Sequence, residues 1–83
     1  MAQEVTNCVI TDLLDISNIY FYLCQNWHLQ QLRVDIIFDH NGEQMTLSER
    51  VLNPERIKAI YKFMIDRWAN GKLRIVITTT DGP

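Results

Sequence analysis

From Leu32 to Val51 apolar and polar side chains alternate on both sides of an Asn41-Gly42 pair, and no other feature constrains the fold as strongly. In Leu32-Arg33-Val34-Asp35-Ile36-Ile37-Phe38-Asp39 the residues at 32, 34, 36 and 38 are apolar; those between are polar, with Ile37 the exception. Successive strand side chains point to opposite faces, so the pattern reads as a half-buried strand. Asn-Gly is a hairpin signal because both residues accept the positive φ of a tight turn. A two-residue loop pairs His40 with Glu43, Phe38 with Met45, Ile36 with Leu47 and Leu32 with Val51. The apolar residues then share one face, and Arg33, Asp35, Asp39, Gln44, Thr46, Ser48 and Arg50 take the other. A slip of one residue would turn the apolar set to water, which is why the register is specified.

Glu49 breaks the pattern, because it falls opposite Val34 on the apolar face. Carboxylates are seldom fully buried without a partner, so the second strand either bends or bulges there, or Glu49 sits at the sheet margin. The functional alternative is a core-facing carboxylate that anchors a small ligand.

Asn53-Pro54-Glu55-Arg56 has the chemistry of a helix start, with Asn as cap, Pro in the first turn and Glu55 near the positive end of the dipole. Ile57, Ile60, Tyr61, Met64 and Trp68 follow at three- and four-residue spacing, with Lys58, Lys62 and Asp66 opposite. Asn70-Gly71 ends the helix, Gly71 being expected as a left-handed cap. Leu73 to Thr80 reads as a strand with Leu73, Ile75 and Ile77 inward, and Asp81-Gly82-Pro83 as a frayed end.

Upstream, Leu13, Ile16, Tyr20, Leu23 and Trp27 predict a helix over about 12–28, capped by Thr11 or Asp12. Val5 to Thr11 is rich in β-branched, poorly helical residues and is read as a short strand. The periodicity also permits one long helix through Val9 and Val5, and a rival reading makes Ile19–Cys24 a strand. The expected order is β-α-β-β-α-β, or α-β-β-α-β if the first strand fails. Either is a single α+β domain over 1–83: a two-layer sandwich with two helices on one face of an antiparallel sheet. The six-element order is that of the ferredoxin-like split-βαβ arrangement, which hosts many functions and implies none.

Several function classes lose ground on the residues. The chain of 83 residues has a net charge of −2 and no Lys or Arg in its first 32 positions, unlike most nucleic-acid-binding domains. No apolar run approaches the roughly 20 residues that span a bilayer, and Met1-Ala2-Gln3-Glu4 does not resemble a signal peptide, so a cytoplasmic setting is expected. Cys8 and Cys24 are expected as small reduced hydrophobes. Cys24 and His28 are four apart, and Cys8 and His40 could join them, but a structural zinc site normally supplies close ligand pairs twice over. No metal or other cofactor is expected, and no nucleophile-base motif or phosphate-cradling loop points to an enzyme. The open sheet face would carry Ile37, Thr46, Ser48, Val76, Thr78 and Thr80, without the aromatics that stack RNA bases. Arg33, Arg50 and Arg74 on that face leave weak phosphate contact as a minor reading.

Asn18-Ile19-Tyr20-Phe21-Tyr22-Leu23-Cys24 carries the functional expectation. Consecutive bulky residues cannot all face one core. On a helix Tyr20, Leu23 and Cys24 join the stripe, while Ile19, Phe21 and Tyr22 fall outside it, as Phe63 does on the second helix. Exposed aromatic clusters have the composition of interface hot spots. The expectation is a small interaction protein, such as an inhibitor, adaptor or assembly subunit, that binds a protein partner or forms a homodimer through Ile19, Phe21, Tyr22 and Phe63. The alternative is a small-molecule-sensing domain.

Overall fold

A computed structural model describes residues 3–80; the expected frayed end at Asp81-Gly82-Pro83 lies outside them. The elements are β1 (Gln3–Ile10), α1 (Leu13–Asn26), β2 (Gln31–His40), β3 (Glu43–Arg50), α2 (Pro54–Trp68) and β4 (Lys72–Thr80). This is the β-α-β-β-α-β order, an α+β arrangement with one four-stranded sheet. The strands lie in the order β1-β4-β2-β3, and every hydrogen-bonded pair is antiparallel. It follows that β1 runs parallel to β2 with β4 inserted between them, and β3 parallel to β4 with β2 between. Each helix therefore spans a split βαβ unit.

The hairpin has the register derived above, from Arg33 opposite Arg50 to His40 opposite Glu43. Asn41 and Gly42 take positive φ values of 54° and 80°, the conformation that makes Asn-Gly a hairpin turn. His40 Nδ1 donates to the Asn70 carbonyl and its other nitrogen accepts from Asn41, tying the turn to the end of α2.

Buried side chains of both helices and of one sheet face form one cluster. Leu32, Val34, Ile36 and Phe38 enter from β2, Leu73, Ile75 and Ile77 from β4, Ile16, Ile19 and Leu23 from α1, and Ile57, Ile60 and Met64 from α2. Thr79 continues the inward row of β4 and is also buried.

Two alternatives left open by the sequence close here in favour of the first strand and of the sheet margin, and two expectations, for Met45 with Leu47 and for Gly71, need correction. Val5 and Val9 do not extend a helix; they belong to β1, whose eight residues pair one-for-one with β4. Met45 and Leu47, expected in the core, are 52% and 38% exposed, because β3 is an edge strand. Glu49 needs no bulge: pairing runs through it without interruption, and its margin position lets it meet Arg56 at 3.9 Å. Gly71 does not use positive φ. The α2 cap is right-handed at Ala69, and Gly71 is required by space, since a Cβ there would lie 2.5 Å from the Asp39 carbonyl oxygen and 2.8 Å from Phe38.

Candidate functional site: the exposed face of the first helix and its two grooves

The entry to α1 sets which side chains face outward. The Asp12 carboxylate accepts the Asp15 N–H at 3.0 Å. In return the Asp15 carboxylate accepts from the Asp12 N–H at 3.3 Å and from the Thr11 N–H and hydroxyl, both at 2.8 Å. These bonds, led by the Thr11 backbone, hold the Asp15 carboxyl below the ordinary aspartate range. Such a reciprocal cap fixes the first turn and hence the rotation of the helix.

With that rotation Ile16, Ile19 and Leu23 form the buried stripe. Ile19 is 5% exposed and is core, a correction to its place in the expected binding set. Leu13, expected on the stripe, is 49% exposed instead, and Leu14 is exposed beside it. The helical angle gives the reason: the stripe is centred between Ile16 and Leu23, which turns Leu13 toward the solvent flank.

Phe21 is 62% exposed, as expected of it. Its ring lies 6.1 Å from Tyr20, which is 4.9 Å from Tyr61 on α2. Ser17, Tyr20, Phe21, Lys58, Tyr61 and Lys62 line a groove of about 430 Å³ between the two helices. Neither lysine belongs to an ion pair among the described residues. The neighbouring Cys24 thiol holds the Tyr20 pKa above the usual 10.0, so the groove presents a neutral phenol at physiological pH.

Tyr22 points to the other flank, half-buried against the core. It lines a second groove, of about 260 Å³, between α1 and β1. Cys8, Ile19 and Ile77 contribute apolar surface there, and Thr6, Asp15 and Asn18 contribute polar groups. Burial, then the Asp15 charge, pushes the Cys8 thiol up, so it stays protonated and acts as a small lining group.

Phe63, the fourth residue of the expected set, is half-buried. The Arg67 guanidinium lies 4.7 Å from the centre of its ring and 5.5 Å from that of Phe38. Arg67 thereby lines, with Phe63, a smaller groove that also takes in Met45 and Leu47. The four expected binding residues thus fall in four settings rather than one patch. Only Phe21 stands fully open.

Glu49, the candidate ligand anchor, lines none of these grooves and faces Arg56 at the sheet margin. Arg33 and Arg50 sit directly opposite each other on the outer sheet face, with Arg33 held 3.5 Å from Asp35. Arg74 is opposite Ile37 and Val9, four residues along β4 from Thr78, the partner of Arg33. The three arginines form a dispersed row. Among the described residues no three His, Cys, Asp or Glu side chains are grouped to hold a metal.

Sequence reading missed the β1–α1 groove. Its signal lay in Thr6 and Cys8, small side chains at the β1 positions that alternate toward α1. Leu13-Leu14 was a second missed signal, since adjacent helical residues cannot both reach one core. No protein-family model and no curated protein matches this chain.

Proposed function

We propose that the chain is a protein–protein interaction module that binds a protein partner, or a second copy, through the helix surface around Phe21. The observation that carries this reading is the exposed ring of Phe21 on α1, which continues through Tyr20 to Tyr61 across the helix groove, with Leu13 and Leu14 also exposed on the same helix. Exposed aromatics on a preformed helical scaffold are the usual anchors of interfaces, because they lose little conformational freedom on binding. The fold is read as a two-layer sandwich with both helices on the buried sheet face. In that arrangement the helix layer is the natural docking platform. Two free thiols, and no helix among the described residues long and apolar enough to cross a membrane, suit a reducing cytosol.

Light scattering over a concentration series, together with a pull-down from native cytosol, tests the reading. Phe21→Ser with Leu14→Ser should abolish self-association or partner capture while leaving the circular dichroism spectrum and unfolding midpoint of the monomer unchanged. Association that survives both substitutions sinks it.

Small-molecule sensing is the rival from another class. The β1–α1 groove, of about 260 Å³, is below the usual range of about 300–1,000 Å³ for ligand pockets, whereas the helix–helix groove of about 430 Å³ falls within it. A metabolite that raised the melting temperature of the wild type but not of a Tyr22→Ala variant would favour the rival.

A further inference from the structure

β1 lies at the edge of the sheet and pairs only with β4, so one side of this eight-residue strand presents unpaired backbone groups. Proteins usually blunt such edges with Lys, Pro, a bulge or a short strand. β1 has no Lys or Pro, and its register with β4 is unbroken from Gln3 to Ile10. The opposite edge differs. β3 carries Glu43, Glu49 and Arg50, and the Arg67 guanidinium, over the Phe63 ring, lines the groove beside it.

Chemistry along β1 specifies an occupant. Val5 and Val9, on the outer face, are 57% and 67% exposed. Glu4, Thr6 and Cys8 alternate on the face turned toward α1, where Thr6 and Cys8 line the groove with Ile19 and Tyr22. Asp15 lines the groove too, next to the capping residue Asp12, while Glu4 lies at the far end of the strand. With no Lys or Arg in the first 32 residues, the groove-facing side of this margin is acidic at both ends and mainly apolar between them, while Lys72 and Arg74 of β4 lie beside Val9 on the outer face.

We propose that an extended, basic segment of another protein adds a strand to the β1 edge, seating apolar side chains in the β1–α1 groove. Backbone hydrogen bonds supply affinity in this mode, and alternate side chains supply specificity. With side chains alternating, a stretch of about seven residues places four toward the groove: two apolar ones in the centre and a cation at each end. A second copy is a poorer occupant. Antiparallel pairing of two β1 strands about Asn7 sets Val5 against Val9, but it brings each Glu4 beside Ile10 and the capping acids Asp12 and Asp15 of the other copy. Like charges meet where the segment's cations would sit. The inference extends the interaction reading to a second surface and does not depend on Phe21.

The probe is a capped heptapeptide with Lys at both ends and Val at positions three and five, alternating with Thr. It is titrated into isotopically labelled protein while amide shifts and hydrogen exchange are followed. The expected result is shifts along β1 and the facing side of α1, slowed exchange at alternate β1 amides, and weakening with added salt. Glu4→Lys should weaken binding about fivefold, from the usual strength of exposed charge pairs, and Phe21→Ser should bind as the wild type does. N-methylation of alternate peptide amides should abolish binding. No shift on β1, equal binding of the peptide with Glu ends, or loss of binding in Phe21→Ser would each overturn the proposal. So would protection of β1 that grows with protein concentration in the absence of peptide, which would identify a second copy as the occupant.

Discussion

Truncating Ile19 and its near neighbour Phe21 should have opposite consequences, although a reading of the helix by hydrophobic period alone places both outside the core. Ile19 is 5% exposed. Ile19→Ala removes three buried carbons, at about 0.8 kcal/mol each, or about 2.4 kcal/mol of transfer free energy. Ile19 also borders the open β1–α1 groove, so the vacated space joins solvent-accessible volume instead of becoming a closed void. The cavity contribution is therefore small, and the expected loss is about 2.5–3 kcal/mol. For a domain of this size that lowers the melting temperature by about 10–20 °C. Phe21→Ala gives up little buried surface and gains helix propensity, so it should stay within about 0.5 kcal/mol of the wild type. Urea unfolding followed by circular dichroism and by Trp27 and Trp68 fluorescence measures both, at concentrations where the midpoint does not depend on protein concentration. The denaturant slope should not change. A loss below about 1 kcal/mol for Ile19→Ala, or above about 1.5 kcal/mol for Phe21→Ala, would refute the helix rotation on which the helix-layer surface rests.

Three further outcomes follow from local geometry. Gly71→Ala should destabilise by about 1–2 kcal/mol in urea unfolding: the new methyl meets backbone at Asp39, and overpacking outweighs the entropy lost by the unfolded chain. Asn53→Ala removes the side chain that accepts the Arg56 N–H at 3.0 Å and should cost about 1 kcal/mol in the same assay. Asp15 is held below the ordinary 3.8, so its carboxylate contributes stability above that pH and loses it as pH falls through the lowered folded value. The stability gap between wild type and Asp15→Asn should therefore be constant near neutrality and shrink in acid; a gap unchanged by acid unfolding would show that the cap does not need the charge.

Legibility in the sequence followed the range of the interaction. The hairpin register was readable because two strands joined by a two-residue turn satisfy each other: pairing Phe38 with Met45 and Ile36 with Leu47 needed no knowledge of distant chain, although the exposure of Met45 and Leu47 did. The Asn53 cap was readable for the same reason, and the Asp12 cap to within one residue of Thr11, since each bonds a group three residues away. Gly71 was assigned to the right place on the wrong grounds. Its role depends on Asp39 and Phe38 in another strand, and no local pattern reports that approach.

By itself the sequence determined the hairpin register, the second helix and the inward row of the last strand, because periodicity and turn chemistry act within a few residues, while the first strand and the extent of the first helix stayed between alternatives. Tertiary structure decided which apolar residues are interior. Placing β4 between β1 and β2 made β1 and β3 the two edges, so Met45 and Leu47 are open to water on the inner face of an edge strand, while Val5 and Val9 fall on the outer face of the sheet. It also set the rotation of α1 to a stripe through Ile16, Ile19 and Leu23, sending Tyr22 into one groove and Phe21 onto another. Burial is a property of what packs opposite a side chain, and a single helix or strand does not encode its neighbour.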